Sequence, residues 1–135
     1  MKESKVIVGE EKIGQDANGE LEKGKIHLVE GLVEYIPNAV LCRTIIKKST
    51  GNITAMSFDE GEEMGEKSVP FDTYIQIIHG AAQIKIDKML HCLSLGAGIV
   101  IPAHQMHWIN AAEKFKMIST VIKSGYDVNN SYSTI

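Results

Sequence analysis

At 135 residues, with 44% hydrophobic and 23% charged side chains, the chain has the length and composition of one small globular domain built on a single core. A net charge of −3 excludes the basic face that a nucleic-acid partner needs, and the longest apolar runs, such as Ile99-Val100-Ile101, fall far short of the roughly 20 residues that span a bilayer. The start, Met1 to Val8, holds too short an apolar run for a signal peptide, so a cytoplasmic location is expected, with Cys42 and Cys92 as unpaired thiols.

Short β-branched runs broken by turn residues at intervals of about ten predict an all-β sandwich or barrel. Residues 1–24 are the exception: the polar, glycine-rich segment Gly14 to Glu20 reads as a loop or arm, and compact structure is expected from Lys25. A strand is predicted at Ile26–Val29 and a helical turn over Gly31–Ile36, ahead of Pro37. Ala39–Lys48 and Ile53–Phe58, joined by Ser49-Thr50-Gly51-Asn52, read as a hairpin. Asp59, Glu60, Glu62 and Glu63 follow as a solvated acidic loop. Thr73–His79 and Ala82–Asp87 read as a second hairpin turning at Gly80, and Asp87-Lys88 turns the chain into Met89–Leu93. Strands at Ile99–Ile101, Met106–Ala111 and Phe115–Lys123 complete the set. Residues 124–135 form a peripheral tail, so the domain is expected to span 25–123.

Between these strands lies a spaced set of residues. Gly96 is followed by Pro102 with five residues between, and Pro102 by His107 with four residues between, His104 among them. Thr50-Gly51-Asn52, Phe58-Asp59-Glu60-Gly61, Pro70-Phe71-Asp72, His79-Gly80 and Phe115-Lys116-Met117 precede or follow at turn and strand positions. Together these resemble the small single-domain bacterial members of the cupin superfamily, whose second motif runs glycine, proline, glycine, histidine at this spacing. The resemblance implies a small antiparallel double-stranded β-helix, or jelly-roll barrel. It also implies that His107 faces the barrel mouth and that His104 replaces the motif's second glycine, in a left-handed turn that histidine tolerates.

The family's first motif supplies two histidines and a glutamate as metal ligands. Counting from Gly61 and back from Gly80, Lys67, Val69 and Thr73 stand at those positions here. A first-row metal normally takes three or four protein donors, so no cofactor is expected. A divalent transition metal, if held, would use His107 with His104. The resemblance places Lys67 and His107 opposite each other in an apolar cup with Val69, Thr73 and Met117, which suits a small, anionic ligand. The expected function is small-molecule binding. The alternative is a metal-dependent enzyme of oxygenase, isomerase or lyase type acting through His107. A homodimer is expected through Ile26–Val29 and Ala39–Lys48, because Val40 to Ile46 is apolar beyond the needs of one strand face.

Overall fold

The computed structural model describes residues 3–9, 16 and 18–126. Within them the chain forms nine strands: β1 (Lys5–Val8), β2 (Ala39–Lys48), β3 (Gly51–Phe58), β4 (Glu63–Lys67), β5 (Asp72–Ile86), β6 (Met89–Ser94), β7 (Gly98–Ile101), β8 (His107–Asn110) and β9 (Phe115–Ile122). Its one helical element is a 3-10 turn over Val29–Leu32. No helix among the described residues is long and apolar enough to cross a membrane.

The fold is all-β, as the strand spacing predicts, and is the jelly-roll barrel that the resemblance implies, antiparallel except where β1 pairs with β2. One sheet runs β1-β2-β3-β9 and then the first half of β5, with β7 on that half's other side. The second half of β5 lies between β6 and β8, and β8 pairs β4. Thus the expected hairpin at Gly80 does not form. Thr73–His79 and Ala82–Asp87 belong to one strand that leaves β9 for β6 and β8 at Gly80, with the register slipping between Ile77 and His79. A bulge of this kind is how a strand turns a barrel corner. Gly80 has φ 74°, and a Cβ there would run into the carbonyl oxygen of Lys114. Only glycine meets both demands.

Alternation along the strands fills the space between the sheets. Val40, Phe58, Ile75, Ile77, Ile84, Ile101, Ile109, Phe115 and Met117 point inward and are buried, with Phe58 and Phe115 stacked at a centroid distance of 4.5 Å. β2 is buried on both faces. Its outward residue Leu41 joins Ala55, Leu21, Leu32 and Val33 in a second apolar cluster. The chain's own segment therefore covers the surplus apolar face on which the dimer expectation rested.

Residues 26–28 form no strand, contrary to expectation, and Ile26 and Leu28 are 97% and 83% exposed. The reason lies in where the following backbone finds its partners. The carbonyls of Glu30, Leu32 and Glu34 accept from Lys116 Nζ (2.8 Å), Arg43 Nη1 (3.1 Å) and Ser57 Oγ (2.7 Å), one side chain from each of β9, β2 and β3. With alternate carbonyls satisfied by side chains, the segment lies across the sheet without joining a ladder. Residues 1–24 also depart from the expected peripheral arm. Lys5–Val8 pairs in parallel with Ala39–Cys42, and Leu21 is buried. Glu20, 5% exposed, accepts the Lys47 amide and lies near Lys48 and Lys23. Gly14, Gln15 and Ala17 of the expected loop, and the tail beyond Tyr126, lie outside the described residues.

Candidate functional site

One end of the barrel opens into a cavity of about 300 Å³. Two strand termini define its chemistry. β4 ends at Lys67 and β8 begins at His107, and the two are direct partners across the β4–β8 ladder. The strand at Glu63–Lys67 has no counterpart in the sequence reading, where Glu60 to Glu63 is a break. The glutamates there mislead: Glu62 is 2% exposed and its carbonyl accepts from the Ala111 amide, and Glu63 accepts from Trp108 Nε1 at 3.0 Å.

The turn Pro102 to Gln105 sets His107 in place. The His104 amide donates to the Val69 carbonyl (2.7 Å), tying this turn to the chain just after β4. His104 has φ 68°, the conformation expected where it replaces glycine. Its side chain is exposed and does not line the cavity, so it is not brought to His107 as a second ligand. The other five residues singled out in the sequence, Lys67, Val69, Thr73, His107 and Met117, all line it.

His107 is 5% exposed, and burial pulls its pKa below the ordinary imidazole value; the Lys67 charge acts the same way, and the Gln105 carbonyl opposes both. A carbonyl only accepts, so the 3.3 Å contact from Nδ1 to the Gln105 oxygen places the proton on Nδ1 and leaves Nε2 as the ring's acceptor. Lys67 is lowered by desolvation, with the half-buried thiol of Cys42 opposing. The thiol is itself pushed up by burial, and Lys67 counters that. Lys67 keeps contact with solvent at the rim, so water screens much of this depression. Among the described residues no carboxylate pairs with it.

Sequence reasoning missed Ser119 and Lys123, which also line the cavity. The signal was available. Once Met117 faces inward, the period-two alternation of β9 carries residues 119, 121 and 123 to the same face. Ile75 follows Thr73 by the same rule. The wall is thus apolar apart from Lys67, Thr73, His107, Ser119 and Lys123, and among the described residues no carboxylate lines it. His79 lies six residues along β5 from Thr73, roughly 20 Å at strand rise, where it bonds the Tyr35 hydroxyl and nears Glu30.

The metal that this fold family often carries does not fit these residues. One imidazole faces the cup, the group opposite it is a lysine, and among the described residues no three His, Cys, Asp or Glu side chains converge on one point.

No family model matches the chain, and no curated protein matches it. Solved structures do. A conserved protein of unknown function from Streptococcus pyogenes is 32% identical, with a TM-score of 0.75, over 79% of this chain and 94% of its own. A cupin superfamily protein from Desulfitobacterium hafniense is 27% identical, with a TM-score of 0.69, over 77% and 94%. A cupin 2 conserved barrel domain protein from Leptotrichia buccalis is 26% identical, with a TM-score of 0.68, over 73% and 47%.

Proposed function

We propose that this chain, which belongs to the cupin superfamily, works as a small-molecule-binding protein whose ligand sits in the barrel mouth between Lys67 and His107. The observation that carries the reading is the balance of the wall. Among the described residues, two lysines, two hydroxyls and one neutral imidazole stand on an apolar surface without a carboxylate. A cation held against apolar walls without a counter-ion is costly, and a ligand anion offsets that cost. A cavity of about 300 Å³ lies at the small end of the range for ligand sites. The ligand class is therefore a small aliphatic acid or phosphate ester, its charge at the lysines and its apolar part against Ile75, Ile101 and Met117.

A thermal-shift series with butyrate and inorganic phosphate tests this. Ligand at ten times its Kd adds about 1.4 kcal/mol of stability, a rise of a few degrees in Tm for a domain of this size. Lys67→Ala should lose most of the rise. No rise with any small carboxylate or phosphate would refute the reading.

A further inference from the structure

We propose that Lys67 forms an imine with a small 2-oxo acid bound in the cavity, with His107 Nε2 relaying the proton. The inference rests on the binding reading and goes beyond it by naming the carbonyl as the recognised group. A lysine becomes a nucleophile toward carbonyls where apolar surroundings disfavour its ammonium form. Lys67 stands at the rim of the apolar cup, where burial acts in that direction although water screens much of the effect, and no carboxylate pairs with it among the described residues. A base must also stand close to it. Direct cross-strand partners hold their Cβ atoms about 5 Å apart, and Lys67 and His107 are such partners. The Nδ1 contact to Gln105 leaves Nε2 with its lone pair. Lys123 remains as a second cation on the same wall, available to the carboxylate when Lys67 is uncharged.

The step balances without a further reagent. The Lys67 nitrogen adds its lone pair to the carbonyl carbon, and the π electrons go to the oxygen. His107 Nε2 accepts a proton from the new N–H and returns it to that oxygen. A carbinolamine results. With a second proton transferred by the same route, the oxygen leaves as water and the C=N bond forms. One amine and one ketone give one imine and one water, with no change in oxidation state.

Trapping with sodium cyanoborohydride in the presence of 2-oxobutyrate tests the step, because hydride fixes the imine as a stable secondary amine that peptide mass mapping locates. The expected result is a single adduct on Lys67, with labelling there in clear excess over every other lysine. The two acids separate this proposal from the binding reading: butyrate has no ketone and should raise the Tm of the wild type without an adduct, while 2-oxobutyrate should both raise it and be trapped on Lys67. Butyrate and 2-oxobutyrate raising the Tm equally, with no adduct on Lys67, would overturn the imine and leave anion binding standing. Adducts spread over the surface lysines without preference would overturn it as well. No Tm rise with either acid and no adduct would overturn both readings.

Discussion

Lys67 faces His107 directly across the β4–β8 ladder, so a cation stands opposite the imidazole that lines the cup. A protonated lysine repels a divalent ion from the place where His107 would bind it. Lys67→His removes that charge and adds a neutral nitrogen, giving two imidazoles at cross-strand distance. Two donors make a weak site, so nickel or zinc affinity should rise by one to two orders of magnitude and stay well below that of a three- or four-ligand centre. Titration calorimetry on untagged protein reads this. A wild-type protein carrying one equivalent of transition metal by elemental analysis, lost on His107→Ala, would contradict the account and support the enzymatic alternative.

The buried imidazole also sets a pH dependence. Burial holds His107 below its unfolded value of about 6.5, so the folded state binds fewer protons there than the unfolded chain. Its contribution is fully present above that pH and is lost as pH falls through it toward the depressed folded value. The wild-type Tm should drop between pH 7 and pH 5, and His107→Gln should flatten the drop. Parallel profiles for the two proteins would show that His107 is not held neutral.

Gly80 carries the crossing of β5 from one sheet to the other. Gly80→Ala places a side chain in a left-handed conformation and against the Lys114 carbonyl. The conformation alone costs about 1–2 kcal/mol, and the clash adds to it, so urea denaturation should show a loss of about 2 kcal/mol or more. A loss below half of that would mean that β9 yields freely at Lys114.

Much of this was legible in the sequence, and the misses share a cause. Residue alternation marks β2, β3 and β7 to β9 within a residue or two of their ends, and the spaced Gly96, Pro102 and His107 mark the fold. The reading fails where partners are distant in sequence. Gly80 looks like a turn because a glycine between two apolar runs reads the same whether the chain reverses or bends at a bulge. Residues 26–28 look like a strand because apolar Ile26 and Leu28 alternate with His27, yet side chains from three strands claim the backbone that follows them. β4 is hidden because its Met64 and Gly65 stand among glutamates, and only the pairing with β8 reveals it. At the site, the five residues read from motif spacing converge, and His104 does not, since its turn points its ring into solvent.

The exposed pair Ile26 and Leu28 bears on assembly. With the outer face of β2 covered by the chain's own Leu21, Leu32 and Val33, this segment is the most exposed apolar surface left in that region, with Val29 at 48% exposure beside it. Large apolar side chains grouped on a surface mark an interface. We expect a homodimer joined through it: light scattering should give twice the 14.8 kDa chain mass, and the double substitution Ile26→Glu, Leu28→Glu should return the monomer. A wild type that stays monomeric at micromolar concentration would end this expectation.

The nitrogen resonances of the His107 ring test the central claim most directly. If a small anion sits between Lys67 and His107, titrating butyrate into uniformly ¹⁵N-labelled protein should shift the His107 Nε2 signal saturably, leave His79 and His104 unmoved, and lose its effect in Lys67→Ala. A His107 signal that stays fixed while butyrate binds, or one that shifts equally in Lys67→Ala, would contradict the site.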